Sequence, residues 1–289
     1  MSAVDTWGLG VLDNDSNGPN DDLLERLFSD GLTDGLPCVP PTHPRVARML
    51  EAVAHVKKYS DPTNVLGECA PSYNDVTVAH CAAAAVMAGC QPKQFVVVLA
   101  AVEAMLSEAF NLHGVSATTM GATPCVIVNG PVRTAAGLNS GIGALGSSSR
   151  ANASIGRALK LVLQNVGEAK LGGTESTTIG SPNKFTLCLA EFEEHLSDSD
   201  WEPLHVGRGF TVVDSAVTVV AVTAGPIQLV DFNTTDARKL VELLAGIMVS
   251  ECKGDCTWYH HCSSFYSSFL QQHTRHRTFF LFVFFSKGK

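Results

Sequence analysis

The sequence predicts an α/β or α+β fold, a mixed sheet flanked by helices in a single domain, on three observations. Apolar residues recur at helical spacing in several segments, as at Val46, Met49, Leu50 and Val53. Between those segments lie short apolar runs at residues 124–128, 184–189 and 216–222 that read as strands. The two kinds interleave without a strict βαβ period, which leaves α/β and α+β both open.

Taken in order, residues 1–20 are acidic and rich in Asn, Gly and Asp, the composition of a disordered segment. Residues 21–30 read as a short helix with Leu23, Leu24, Leu27 and Phe28 on one side. The run Asp34-Gly35-Leu36-Pro37-Cys38-Val39-Pro40-Pro41-Thr42 is a turn followed by extended backbone, because successive prolines exclude helix. A helical pattern resumes over 43–56. Residues 74–88 form an alanine-rich helix that Gly89 can stop, and Pro92 can open the next, over 92–110.

The strand at 124–128 runs into Asn129-Gly130-Pro131, then a long Gly/Ser/Asn loop, then a cationic amphipathic helix starting near Arg150 to Ser154. A last helix spans 235–249, with Thr234 or Thr235 as cap and Asp236 in its first turn. The globular domain is therefore placed at 21–250. The remaining 251–289 change character: seven of the fourteen phenylalanines fall there, with no helical or alternating period. That tail reads as foreign to the fold, such as a mis-spliced or altered end. Its Cys252, Cys256, His260, His261 and Cys262 are too crowded for a standard zinc site and are read as accidental.

Bulk properties narrow the function classes. A formal net charge of -8 argues against sequence-independent nucleic-acid binding, which needs a basic face to displace counterions. No apolar run reaches the length of a transmembrane helix. The acidic N-terminus lacks the basic and apolar regions of a secretory signal. Nine cysteines without such a signal imply free thiols in a reducing compartment, so the expected location is cytoplasmic.

Small, polar loops are costly to order, and a chain that keeps one has a use for it. The loop before the 150s helix matches GxGxxG at Gly141, Gly143 and Gly146. The strand ends over ten residues too early for the tight strand–turn–helix of a dinucleotide site, so nicotinamide is not expected. A small anionic ligand is the better fit. Backbone N–H groups at the helix start, with Ser147, Ser148, Asn152, Arg150 and Arg157, suit a carboxylate or phosphate. The competing reading is a loop made small only for close packing.

His113, beside Gly114, is an acid/base or metal-ligand candidate, against the commoner role of a structural histidine. Glu191, Glu194 and His195 share a face if helical, and His205 follows, a carboxylate–imidazole set usable for proton transfer or a divalent metal. A solvated acidic turn is the plain alternative. Cys90 stands at the N-terminal edge of a helix, where a thiol's pKa falls and the sulfur can be a nucleophile; burial in the core is the competing reading.

Several motifs together carry a resemblance. DGLPCVPPT from Asp34, FNLHGVSATT from Phe110, VNGP from Val128, LNSGIGALGSSSRANASIGRALKLVLQNVG from Leu138 and WEPLHVGRGF from Trp201 resemble an uncharacterised family of bacterial and fungal proteins. Its members carry a DGLPxVPPT segment and are associated with UGSC-motif (seleno)proteins. The resemblance implies thiol or selenol redox chemistry, with this chain as a substrate-binding partner of a UGSC-type redox protein. It carries over Asn111, His113, Thr118, Thr119, Asn129, Asn139, Arg150, Asn152, Arg157, Glu191, Glu194, Glu202 and His205. This chain departs from the family in having no UGSC motif itself, and in its tail after residue 250.

The expectation is thus a cytosolic enzyme for a small anionic organic molecule, able to form homo-oligomers. Its site would join the 129–152 loop to His113 and the 191–205 patch. The alternatives are a non-catalytic binding subunit of a thiol/selenol system and a truncated inactive product.

Overall fold

In the computed structural model, residues 23–195, 202–223, 227–230, 235–251, 278–281 and 284–285 are described. The expected disordered segment 1–20 and most of the 251–289 tail, including its Cys/His cluster, lie outside them.

Helices and strands come in the order α1 Leu23–Ser29, α2 His43–Val53, β1 Val65–Cys69, β2 Asn74–Thr77, α3 Val78–Met87, α4 Phe95–Leu106, α5 Leu112–Ala117, β3 Thr123–Asn129, α6 Val132–Ala136 and α7 Arg150–Asn165. They continue with β4 Cys188–Ala190, β5 Ala216–Val222, β6 Ile227–Val230, α8 Ala237–Glu251, β7 Thr278–Leu281 and β8 Phe284–Phe285. The fold is α+β, with one mixed sheet ordered β4-β3-β5-β8 and two separate antiparallel pairs, β1-β2 and β6-β7. Among the described residues no single helix is long and apolar enough to cross a membrane.

Strand β3 is the centre of the sheet, and all seven of its residues are buried. It pairs parallel with β4, Val126 opposite Cys188 and Val128 opposite Ala190. On its other side it pairs antiparallel with β5 along its whole length, from Thr123 opposite Val222 to Asn129 opposite Ala216. Alternation along β3 divides the core. Val126 and Val128 join the large cluster that contains the inner faces of α2, α3, α4 and α7. Cys125 and Ile127 face the opposite way, into a small cluster with Leu187, Leu189 and Leu204. Asn129, two residues beyond Ile127, belongs to that second face.

Helix α3 begins at Val78, not at Asn74 as the alanine-rich pattern suggests. Asn74 to Thr77 are drawn into a hairpin with β1, and Thr77 then caps the helix by accepting the His80 N–H at 3.2 Å. Tertiary pairing here overrides a local preference that extends further back. Residues 92–110 also divide: Pro92 opens a short 3₁₀ turn, Pro92–Gln94, before α4, and α4 stops at Leu106. The strand expected over 184–189 forms only at Cys188–Ala190, because Pro182–Lys184 makes a 3₁₀ turn instead.

Helix α7 crosses the sheet at a contact that requires glycine. A Cβ on Gly156 would overlap Thr186 Oγ1 and sit 2.6 Å from the Leu187 amide nitrogen. Glycine lowers the intrinsic stability of a helix by about 1 kcal/mol relative to alanine, so an alanine here would normally help. Because the obstruction includes the Leu187 backbone just ahead of β4, the clash should outweigh that gain. Gly156→Ala is expected to lower stability by about 1–3 kcal/mol, read as a reduced urea midpoint with an unchanged slope.

Candidate active site

Strands β3 and β4 run parallel, so their carboxyl ends lie side by side, the place where open α/β sheets bind ligands. The chain leaves β3 at Asn129 and β4 just before Glu191. Because Ile127 pairs with Leu189, the next same-face positions are Asn129 and Glu191, and their side chains meet. Asn129 Nδ2 donates to Glu191 Oε2 and, at 2.9 Å, to Glu193 Oε1.

The turn out of β3 adds donors. Gly130, at φ 77, gives its N–H to Glu193 Oε1 at 2.7 Å. This left-handed backbone favours glycine, and a Cβ here would also overlap the Asp214 carbonyl oxygen. Arg133, in the first turn of α6, is buried and reaches back under the turn. Its Nη2 donates to Glu193 Oε2 at 2.9 Å and Glu194 Oε1 at 3.1 Å. Its Nη1 donates to the Glu191 carbonyl at 2.7 Å and Glu194 Oε2 at 3.2 Å. Its Nε donates to the Gly130 carbonyl at 3.1 Å, so the guanidinium holds two carboxylates and two backbone oxygens in a fixed plane.

Glu191 is half-buried and, unlike Glu193 and Glu194, is not bonded by its carboxylate to Arg133. Burial pushes its carboxyl pKa upward from the ordinary 4.5; hydrogen bonds from the Leu204 N–H at 2.9 Å and from Asn129 oppose this only in part. The Glu193 carboxylate raises it further and His205 lowers it. His205 is 1 % exposed, and among the described residues neither ring nitrogen has a hydrogen-bond partner. Its Nδ1 lies 4.0 Å from Glu193 Oε1, too far for a hydrogen bond. Asn129 Oδ1 is also buried and unpartnered. Three orphaned polar atoms around one raised carboxyl are unusual in a folded protein, where buried polar groups are nearly always satisfied. A carboxyl and an imidazole so placed can exchange a proton with a bound molecule.

Of the residues the sequence singles out, Asn129, Glu191, Glu194 and His205 converge here. The expected helical face for 191–195 is not formed: only Glu193–His195 makes a 3₁₀ turn, and the glutamates meet through Arg133 instead. Arg133 and Glu193 are the members sequence reasoning missed. The available signals were an arginine in the turn after Asn129-Gly130-Pro131 and a third acid within the charge run.

The other candidates lie elsewhere. His113 is exposed and stacks on Tyr73, whose hydroxyl is 3.1 Å from its Nδ1. Thr118 Oγ1 accepts the Met120 N–H, and the Thr119 carbonyl holds Thr178. In the Gly/Ser loop, Asn152 accepts the Asn139 N–H and donates to the carbonyls of Asn139 and Ala144, while Asn139 Nδ2 bonds Ile142 O and Ser149 Oγ. These two asparagines fasten the loop to α7. Arg157 is committed to Asp34 through two bonds of 2.7 Å, with Pro37 O and Leu36 O besides. Ser147 and Ser148 are exposed. Arg150 is exposed too, and among the described residues its side chain donates to the Gly89 carbonyl alone.

Cys90 needs correcting as a low-pKa nucleophile. It is 7 % exposed, and burial pushes its thiol up to about 12, with Arg150 offsetting only a little. Desolvation of a thiolate outweighs the helix-end field. Among the described residues, no group of three or more His, Cys, Asp and Glu is arranged to hold a metal ion. No family model, curated protein or solved structure matches the chain.

Breaking a buried pair leaves charge without compensation. Arg133→Met is expected to cost about 3 kcal/mol of stability, and adding Glu193→Gln should recover part of that loss, both read by urea unfolding. Glu191 gives a pH signature. A carboxyl raised in the folded state binds more protons there than when unfolded, so its contribution falls as pH rises above the ordinary 4.5. Stability of the wild type relative to Glu191→Gln should therefore decline from pH 4.5 to 7. A flat difference across that range would place Glu191 in water.

Proposed function

We propose that this chain is a cytosolic enzyme that moves a proton on a small anionic organic molecule at the carboxyl ends of β3 and β4. Glu191 is the acid/base group and His205 its imidazole partner. Arg133, Asn129 and Gly130 hold the carboxylates in place. The observation that carries this reading is His205, fully buried with both ring nitrogens unpaired beside a raised carboxyl. An apolar side chain of similar size would be easier to bury there, and proteins keep costly polar groups where chemistry needs them.

The six described cysteines are all free and buried, in keeping with a reducing compartment.

A second reading, a binding subunit of a thiol/selenol redox system, is favoured by one feature. Phe210, Val212 and Val213 are 50 %, 65 % and 75 % exposed on the loop that follows His205. An apolar rim beside a ligand site suits a partner protein.

The test is proton exchange. Small carboxylic acids with an ionisable C–H are incubated with the protein in D₂O, and loss of the C–H signal is followed by NMR. The wild type is expected to wash in deuterium, and Glu191→Gln and His205→Leu to lose at least about 100-fold of that rate. His205→Leu should remain within about 1 kcal/mol of wild-type stability or gain, since no hydrogen bond is lost. Exchange that is absent throughout from a folded protein would favour the binding-subunit reading.

A further inference from the structure

On the proton-transfer reading above, on which this rests, we propose that Asn129 selects the substrate: an anionic α-amino acid, with its ammonium on the carbon beside a carboxylate. Asn129 is fully buried, and its Nδ2 donates to Glu191 Oε2 and, at 2.9 Å, to Glu193 Oε1. Both partners are carboxylate oxygens, which accept, so the nitrogen and not the oxygen of the amide faces them. Each amide proton is thereby used. The backbone is fixed as well, since Asn129 pairs with Ala216 of β5.

Asn129 Oδ1 is left as an acceptor, buried and without a partner. Both nitrogens of His205 are also buried and unpartnered, so the imidazole does not serve it. In its neutral form an imidazole has one N–H and one bare nitrogen. The unmet groups are then two acceptors and one donor. An ammonium has N–H groups for both acceptors, and the adjoining carboxylate accepts from the imidazole N–H. A hydroxyl has a single proton and leaves one acceptor bare. A methylene leaves both bare, and each buried acceptor without a donor weakens binding.

Charge points the same way. Glu193 and Glu194 share the Arg133 guanidinium at 2.9 and 3.1 Å, so this network stays negative even with Glu191 protonated. The Arg133 and Glu193 side chains are shielded, whereas that of Glu194 is 58 % exposed and opens the network to solvent. Exclusion of water strengthens the attraction of such a cluster for a positively charged donor.

Three acids test this on the full chain. Racemic aspartate, racemic malate and succinate are all anions at pH 7 and differ in one group, NH₃⁺, OH or H. Each is titrated into the protein, with dissociation constants read from ligand NMR line broadening and deuterium wash-in followed on the same samples. Malate and succinate carry equal charge, so their difference reads the hydrogen bond to Asn129 Oδ1. Malate is expected to bind at least about fivefold more tightly than succinate, and aspartate more tightly than malate. In Asn129→Leu the malate-to-succinate ratio should fall to within about twofold, whereas a purely structural role would weaken both acids alike and keep the ratio. If that variant does not fold, the wild-type series decides by itself. Equal affinities, as when a water satisfies Oδ1, would overturn the proposal, and so would malate binding more tightly than aspartate or no binding by any of the three. Wash-in without a preference in binding removes the substrate assignment alone. A preference without wash-in keeps the Asn129 contact and removes the proton transfer.

Discussion

The buried Arg133 guanidinium is the constraint on which the candidate site rests. Three glutamates and an asparagine crowd the ends of two parallel strands, and without a cation between them their mutual repulsion would force the turn apart. Arg133 sits within the first turn of α6, five residues from the end of the strand core at Val128, so the charge arrives from the same chain segment that creates the crowding. Its planar fork satisfies two carboxylates at once, which a lysine could not do. Its remaining bonds, to the carbonyls of Gly130 and Glu191, bind the two strand ends together. Order at the site is thus a property of one ion-pair network, built on backbone that only Gly130 can supply.

That network leaves Glu191 and His205 in an unusual state. Glu193 and Glu194 share Arg133, whereas among the described residues Glu191 receives only uncharged donors, Leu204 N–H and Asn129 Nδ2. The protein has partitioned three similar acids by giving the cation to two of them. The third is driven upward in pKa by burial and by the adjoining charge, the arrangement that separates an acid from a spectator.

Much of the fold was legible because apolar period speaks directly about backbone. Residues 216–222 form β5 with the bounds expected, and the strand at 124–128 needed only one residue more at either end. Where local and long-range preferences disagreed, pairing decided. Asn74 to Thr77 carry nothing that excludes helix, yet β1 supplies hydrogen bonds that a helix start would leave unmade. The site was legible only in part. Asn129, Glu191, Glu194 and His205 stood out as polar residues next to predicted strands, but which polar groups were occupied could not be read from spacing. Asn139, Asn152 and Arg157 had the chemistry of ligand-binding side chains. In the fold they fasten the glycine loop to α7 and the Asp34 turn to the same helix, since a long small-residue loop must find hydrogen bonds somewhere.

The sequence by itself determined the class of fold, the central strand, and the presence of polar residues at the strand ends, because these depend on periodicity and on local backbone chemistry. Only the tertiary structure decided which acids share Arg133 and that Cys90 is buried. Those outcomes depend on burial and on pairing between residues tens of positions apart. Electrostatic interaction in a protein interior is set by distance and solvent exclusion, neither of which is written along the chain.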